Sequence, residues 1–190
     1  MAHHTMIDLS KSKSNWKWRV LIARGLWSFF VEPIVRWLPK SCSFLRVFCL
    51  RLFGAKIGSN CLILPGVKVL IPWNLELEDS VAIGRSVDIY NFASVRIRRM
   101  SVVSQRCFLC TGSHDYTSQS MPLIWDRIDI GSECWIAAEV FIAPGVAIAD
   151  GVVVGARAVL TKTIENAWTV WGGHPAKMLK IREMKDANET

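Results

Sequence analysis

The feature that most restricts the fold is a six-residue cycle of aliphatic side chains. Neither the 3.6-residue period of a helix nor the two-residue alternation of a strand produces such a cycle. A hexapeptide repeat predicts a parallel β-helix, in which three short strands form each triangular coil and equivalent side chains stack inward. The cycle passes through two two-residue shifts and one insertion, and its members are Ile57, Ile63, Val69, Leu75, Leu77, Ile83, Ile89, Val95, Ile97, Val103, Leu109, Ile130, Ile136, Ile142, Ile148, Val154 and Leu160.

Small residues accompany the cycle at the positions where a triangular coil must turn. In the last run Gly or Ala directly follows most of the aliphatic residues, as at Gly131, Ala137 and Gly155. Coils of the hexapeptide type wind left-handed, an exception to the right-handed rule for parallel crossovers. We therefore predict a mainly β fold, a left-handed parallel β-helix over residues 57–165, interrupted by a loop insertion at residues 115–129.

The segments on either side of the repeat are predicted to be caps. Residues 166–190 leave the cycle and are expected to form a C-terminal cap with a short helix over residues 178–185. Residues 7–56 form a basic, tryptophan-rich helical segment. Residues 1–6, MAHHTM, resemble a cloning remnant and carry no functional argument.

The N-terminal segment is predicted to contain two one-sided helices and most of the excess charge. Residues 1–56 hold ten Lys and Arg against two acids, whereas residues 57–190 hold thirteen against fourteen. The helices could cap the coil with their apolar stripes as core, or residues 16–53 could make a peripheral membrane contact. No nucleic-acid motif occurs, and the stripes are Trp16, Val20, Ala23, Trp27 and Phe30 in one helix and Phe44, Leu45, Phe48 and Leu52 in the other.

The six cysteines are expected to be reduced thiols of a cytoplasmic protein, because no secretory leader is recognisable. A peripheral position at the inner face of the cytoplasmic membrane is compatible with this location. Cys107 and Cys110 form a CxxC pair with His114 four residues on, but a zinc site needs a further ligand set. We expect no metal.

His114 is the candidate base suggested by the residues themselves. Outside the remnant only His114 and His174 occur, and His114 lies in FLCTGSHDYTS, residues 108–118, where the repeat breaks. A lone histidine is more often structural than catalytic. His114 stands out because Gly112 and Ser113 precede it and leave room for a ligand.

Several segments together resemble the hexapeptide-repeat acyltransferases, and in particular the acetyltransferases of colanic-acid-type exopolysaccharide biosynthesis. His174 stands where that family usually has Asn or Val. The resemblance implies acetyl transfer from acetyl-CoA to a sugar or glycan hydroxyl, by a homotrimer with active sites between subunits. The matching segments are LRLFGAKIG (50–58), IPWNLEL (71–77), IYNFA (89–93), LCTGSHDYTS (109–118), CWIAAEVFIAPGV (134–146), GARAVLTK (155–162) and GGHPAK (172–177).

The resemblance also implies residue roles. His114 would be the general base, since a hydroxyl needs one to attack a thioester and imidazole suits neutral pH. Asn91 would bind or orient the acceptor hydroxyl, or else be a turn residue at a coil corner. The insertion would supply the acceptor contacts Asp115, Tyr116 and Trp125.

The same resemblance places the coenzyme on the last coils. Trp135 would lie by the pantetheine arm, and Ala137 and Ala143 would leave backbone amides open to it. Thr161, Lys162, Lys177 and Lys180 would meet the phosphates of the coenzyme, or would form a solvated terminal face.

Three other functions remain open at this point. A zinc-dependent carbonic anhydrase of the same fold needs three metal-binding histidines, and only two occur outside the remnant. A non-catalytic coenzyme-binding or scaffold protein would keep the coil without turnover. An acyltransferase could also take its acyl group from another donor, such as an acyl carrier protein.

Overall fold

The computed structural model describes residue 7 and residues 16–184, so the predicted remnant at residues 1–6 lies outside the described residues. The N-terminal segment is helical, as predicted. Its elements are α1 (Trp18–Leu26), a π-helix (Trp27–Val31), α2 (Glu32–Arg36), a 3-10 turn (Lys40–Cys42) and α3 (Ser43–Leu52). Among residues 16–184 no helix has the length and apolar composition to cross a membrane.

The chain from residue 56 onward is a parallel β-helix of three sheets, which confirms the predicted class. Sheet 1 contains β1 (Lys56–Ile57), β4 (Leu75–Leu77), β7 (Val95–Ile97), β12 (Ile128–Ile130) and β15 (Ala147–Ile148). Sheet 2 contains β2 (Leu62–Ile63), β5 (Ala82–Ile83), β8 (Val102–Val103), β13 (Trp135–Ile136), β16 (Val153–Val154), β18 (Thr169–Gly173) and β19 (Ala176–Ile181). Sheet 3 contains β3 (Lys68–Val69), β6 (Asp88–Tyr90), β9 (Phe108–Cys110), β14 (Phe141–Ile142) and β17 (Val159–Leu160).

The six-residue cycle forms the core. All its members are buried except Ile57, which is half-buried in the first coil. The two-residue shifts arise on sheet 1, where three-residue strands such as β4 point both Leu75 and Leu77 inward. Each shift therefore marks a return to sheet 1 and not an irregularity of the coil.

Corners of the coil are tight enough to demand glycine at some positions. A Cβ atom at Gly84 would lie 2.6 Å from the backbone nitrogen of Gln105, and one at Gly131 would lie 2.7 Å from that of Asp150. Both contacts are with the next coil. Glycine is thus required here because adjacent coils approach too closely for a side chain.

Two boundaries differ from the sequence-based expectation. The insertion is a hairpin of β10 (Gly112–His114) and β11 (Leu123–Trp125), and the coil resumes at Ile128, so the insertion begins before His114 and ends before residue 129. The helix predicted at residues 178–185 is wrong. Residues 176–181 instead form β19, which pairs antiparallel with β18 and extends sheet 2, while Lys185 lies outside the described residues.

The N-terminal helices also differ in which faces they bury. Pro33 lies in the first turn of α2, where its missing amide hydrogen is not needed. In α3 the predicted apolar stripe faces outward, and the buried side chains are Ser43, Arg46, Val47 and Leu50. For α3 the alternative in which this stripe forms core is wrong, because the face toward the coil carries Ser43 and Arg46, which bond to backbone groups of the first coil.

The helices supply those polar partners and so cap the open end of the coil. Trp27 donates its indole hydrogen to the carbonyl of Val69 at 2.7 Å, and the hydroxyl of Ser43 accepts from the amide of Ile63 at 2.9 Å. Arg51 donates to the carbonyl of Ile57 at 2.8 Å. One helical contact thus reaches the first strand of each sheet, where no preceding coil exists to complete the hydrogen bonds.

Candidate active site

His114 is the last residue of β10, on a hairpin that projects from the coil. The hairpin leaves the coil after β9 in sheet 3 and returns at β12 in sheet 1. In β10, His114 pairs with Leu123 of β11, and its side chain is exposed. The catalytic candidate therefore stands at the corner between sheets 1 and 3, open to an incoming molecule.

The imidazole of His114 is oriented by a backbone carbonyl. Its Nδ1 lies 2.7 Å from the carbonyl oxygen of Met121. Because a carbonyl only accepts, Nδ1 carries the hydrogen and Nε2 keeps its lone pair free, which is the tautomer that a general base requires. Met121 lies in the turn of the hairpin, and its φ of +41° is an uncommon conformation for a residue with a side chain.

An aromatic cluster supports the base of the hairpin. The rings of Phe92 and Trp125 are stacked with centroids 6.5 Å apart, and Trp16 lies 6.0 Å from Phe92 and 6.4 Å from Trp125. Tyr90 meets Phe92 edge-on at 4.8 Å. The guanidinium of Arg24 lies 4.8 Å from the Trp16 ring. The cluster joins helix α1, sheet 3 and the hairpin that carries His114.

Gly112 sets how closely the hairpin can approach this cluster. A Cβ atom at Gly112 would lie 2.8 Å from Phe92 Cδ2 and 3.4 Å from Tyr90 Cε1. The two rings already contact each other, so neither can move aside without disturbing the other. Glycine here allows the first strand of the hairpin to pack directly on the ring of Phe92.

The three predicted acceptor residues have different surroundings. Trp125 is half-exposed beside Phe92, and Tyr116 is almost fully exposed. The Asp115 carboxylate accepts hydrogen bonds from the amide and hydroxyl of Thr117, which hold its pKa below the usual range. Trp125 and Tyr116 are thus available to a ligand, whereas Asp115 already closes the local turn.

Asn91 lies inside the coil and not at the surface. Its side chain is 0 % exposed. Its Oδ1 accepts from the amide of Ile71 at 2.9 Å, and its Nδ2 donates to the carbonyl of Ile71 at 2.8 Å. Both polar atoms bond to Ile71 and the side chain is buried, so within one chain Asn91 does not reach the surface at which an acceptor would bind. Its observed role is to hold two adjacent coils together.

The predicted coenzyme residues are spread over sheet 2 and two corners. Trp135 is 49 % exposed, and its indole donates to the hydroxyl of Ser104 at 3.0 Å. The exposed polar candidates are Thr161, Lys162, Lys177 and Lys180. Lys177 and Lys180 lie on β19, in the same sheet as Trp135, whereas Thr161 and Lys162 follow β17 of sheet 3.

The open amides expected at Ala137 and Ala143 are not present. The amide of Ala137 donates to the carbonyl of Val154, and that of Ala143 to the carbonyl of Leu160, both at 2.9 Å. These bonds join one coil to the next. The expectation was wrong because each corner amide of a stacked coil already has a partner in the following coil.

The CxxC pair belongs to the core. Cys107 and Cys110 are buried, and their thiols contact the carbonyls of Ala137 and Gly112 at 3.0 and 3.1 Å. Burial raises the pKa of Cys107 to about 11, which keeps this thiol protonated at neutral pH. In the described residues no group of three or more His, Cys, Asp or Glu is arranged around a common metal position.

Known proteins resemble this chain in both sequence and structure. The chain is 45 % identical over 157 residues to WcaF of Escherichia coli (strain K12), provisionally named a colanic acid biosynthesis acetyltransferase. The match covers 83 % of this chain and 86 % of WcaF, and the protein of the same name from Shigella flexneri gives the same values. The chain belongs to the hexapeptide-repeat acyltransferase family.

Solved structures share the fold at lower sequence identity. A maltose O-acetyltransferase from Clostridium difficile 630 has a TM-score of 0.80 at 20 % identity, covering 88 % of this chain and 90 % of its own. A hexapeptide-repeat acetyltransferase from Vibrio cholerae O1 biovar eltor, complexed with acetyl coenzyme A, has a TM-score of 0.80 at 22 % identity, covering 90 % and 93 %. No family model matches the chain.

The structure adds residues to the candidate site of this hexapeptide-repeat acyltransferase that the sequence did not reveal. Met121 orients His114 through its carbonyl, and a backbone contact of this kind leaves no side-chain signal. Sequence periodicity places Trp16 only on a helix stripe and gives Phe92 no role, yet both pack against Trp125. The aromatic character of IYNFA, residues 89–93, was the available signal for this cluster.

Proposed function

We propose that the protein transfers acetyl from acetyl-CoA to a sugar hydroxyl in exopolysaccharide or glycan biosynthesis, with His114 as general base. The observation that carries this proposal is the bond from Nδ1 of His114 to the carbonyl of Met121, which leaves Nε2 free. The membership of the family, and relatives named for acetyl transfer or complexed with acetyl coenzyme A, support the donor. The structural neighbour named as a maltose O-acetyltransferase supports a sugar acceptor.

The proposed reaction is a direct transfer. The acceptor oxygen forms a bond to the acetyl carbon while its proton passes to Nε2 of His114. The carbon–sulfur bond then breaks, and the imidazolium returns that proton to the departing thiolate. The carbonyl of Met121 accepts from Nδ1–H throughout and stabilises the transient positive charge. No acyl group is attached to the protein at any step.

The other site residues have positioning and binding roles in this proposal. Trp125 and Tyr116 offer aromatic faces to the acceptor ring, and both are exposed on the hairpin. Trp135 lies against the pantetheine arm of the coenzyme. Asn91 acts indirectly, by holding the coil beneath the hairpin. The cations available to the coenzyme phosphates, with Thr161 beside them, are Lys162, Lys177 and Lys180.

The active unit is proposed to be a homotrimer with active sites between subunits. Within one chain, His114 stands at the corner of sheets 1 and 3, whereas Trp135 lies on sheet 2. Acetyl-CoA and acceptor must meet at His114, so a second subunit has to bring its own sheet 2 to that corner. The half-exposed Trp135 is an apolar surface that such a neighbour would cover.

The first experiment is an acceptor screen with labelled acetyl-CoA. Simple sugars, nucleotide sugars and lipid-linked sugars are each incubated with wild-type protein and with His114→Ala. The expected result is labelled ester on one acceptor class with the wild type only. A parallel screen uses a labelled acyl carrier protein as donor, and transfer from that donor alone would identify another acyl source. A wild type that binds acetyl-CoA and transfers label from neither donor would instead support the non-catalytic scaffold.

Subunit mixing tests the shared site. His114→Ala and Trp135→Ala chains, each inactive alone, are unfolded together and reassembled. If one subunit provides His114 and its neighbour provides Trp135, random assembly restores about a quarter of the wild-type sites. No recovery in correctly sized mixed trimers would show that both residues serve the same site from one chain.

A further inference from the structure

The first two helices carry an apolar stripe on the side that faces away from the coil. Its members are spaced by helical steps of three, four or seven residues or are direct neighbours, which keeps them on one outer face. Phe29 is the most exposed of them at 79 %. Isolated exposed apolar residues are ordinary, but a contiguous run of this length indicates a surface that another phase or molecule covers. The main members are Trp18, Leu21, Ile22, Phe29, Phe30 and Ile34.

Helix α3 carries a second outward stripe. Phe44, Phe48 and Leu52 are four residues apart and therefore lie on one side of the helix, and all three are exposed. We call these two stripes together the outer helical surface. On the coil, exposed large apolar side chains cluster in the His114 hairpin and at the C-terminal end, at Met178, Leu179, Ile181 and Met184, and are single residues elsewhere.

The outer helical surface cannot fold inward without breaking the cap. Trp27, Ser43 and Arg46 face the opposite side and bond to backbone groups of the first coil at Val69 and Ile63. Those contacts fix the rotation of α3 and of the π-helix between α1 and α2. The apolar stripes are therefore held away from the coil by buried hydrogen bonds.

Basic side chains accompany the apolar stripes. Residues 16–56 contain eight Lys and Arg and one acid, Glu32, which pairs with Arg36 at 3.6 Å. Lys17, Arg19 and Lys40 are exposed. Apolar and tryptophan side chains with exposed cations are the combination by which a helix lies in the interface of a membrane that contains anionic lipids.

We propose that the outer helical surface docks on a lipid bilayer with an anionic surface. A second copy of the chain is the competing occupant, but its own helices carry the same positive charge and would repel it, and residues 57–190 are close to neutral. A bilayer provides both an apolar phase for the stripes and negative headgroups for the cations. The helices lie on this surface and do not span it.

Docking of this kind would place the active site near the membrane. Trp16 precedes α1 and packs on Phe92 and Trp125, and Arg24 of α1 lies over the ring of Trp16. Helix α1 and the His114 hairpin are therefore parts of one packed cluster. If the proposed transfer is correct, the enzyme is positioned to meet an acceptor that is itself held in the bilayer.

Vesicle flotation of the whole protein tests the docking without acceptor or coenzyme, so its outcome is independent of acetyl transfer. Vesicles of phosphatidylcholine alone are compared with vesicles containing phosphatidylglycerol. The test variant is Phe29→Ser with Phe48→Ser, and the matched control is Met100→Ser with Leu179→Ser, since Phe48 and Met100 are 61 % and 62 % exposed. A third variant, Lys17→Glu with Arg19→Glu, tests the charge.

We expect the wild type and the matched control to float with phosphatidylglycerol vesicles. The Phe variant should lose at least tenfold in apparent affinity, and the charge variant should lose affinity mainly at low salt. Circular dichroism and sedimentation verify that each variant folds and assembles normally. Absence of wild-type flotation would overturn the proposal, as would a Phe variant that floats normally, and a smaller oligomer of the Phe variant would identify a second copy as the occupant.

Discussion

Replacement of Asn91 by alanine separates a structural role from a catalytic one. The substitution removes two hydrogen bonds of 2.8 and 2.9 Å and leaves the amide of Ile71, itself 0 % exposed, without this partner, while the Ile71 carbonyl keeps its bond from the amide of Asn74 at 3.1 Å. An unsatisfied buried amide costs about 1–3 kcal/mol, so the free energy of unfolding should fall by at least this amount. For a chain of this size that corresponds to a decrease in Tm of about 2–12 °C.

Thermal unfolding followed by circular dichroism measures the loss, and kcat at 20 °C is measured on the same samples. We expect kcat of the folded Asn91→Ala protein to fall by less than about tenfold, below the contribution typical of an acid–base group. Ser113→Ala is the control, since Ser113 is exposed beside His114. An unchanged Tm together with a hundredfold loss of kcat would refute the structural assignment and would place Asn91 in contact with the acceptor.

Three further predictions follow from particular contacts. Gly112→Ala should push the hairpin away from Phe92, lowering kcat at least tenfold while the Kd for acetyl-CoA measured by calorimetry is unchanged; a normal kcat would contradict the tight packing seen there. Arg46→Ala should lower the free energy of unfolding, measured in urea, by about 3 kcal/mol, because buried Arg46 donates to the carbonyls of residues 38, 39 and 63. The control Arg51→Ala, at an exposed residue, should cost clearly less, and equal losses would argue against Arg46 as the anchor of α3. Iodoacetamide at pH 8 should leave Cys107 unmodified in the native protein, since burial raises its pKa to about 11, and rapid labelling detected by mass spectrometry would show that the thiol is accessible.

The coil could be predicted from the sequence because its determinants are local and repeated. The inward positions recur every six residues and the same pattern repeats in each coil, so the prediction does not depend on any single residue. Even the two-residue shifts have a structural meaning, since each marks a three-residue strand such as β4 with Leu75 and Leu77 both inward. The same repetition explains why the family could be named from short motifs.

The ends of the chain and the details of the site were less predictable because they depend on non-local contacts. Helix α3 buries Arg46 and exposes Phe44 because carbonyls of distant residues need donors, and periodicity alone assigns the apolar face to the core. Residues 176–181 have an acceptable helical composition, yet the open edge of β18 pairs with them as a strand. The carbonyl that orients His114 belongs to a turn whose geometry no residue type specifies.

The most direct test of the account is the rate of acetyl transfer by His114→Ala, measured in a single turnover with labelled acetyl-CoA and the acceptor found in the screen. Within residues 16–184 the exposed side chain of His114 makes one hydrogen bond, to Met121, so its removal should leave the fold, the oligomer and the Kd for acetyl-CoA unchanged. We expect the rate to fall by about 10²- to 10⁴-fold, equivalent to about 3–5 kcal/mol in the barrier. A rate within threefold of the wild type, in a protein that still binds acetyl-CoA, would contradict general-base catalysis by His114.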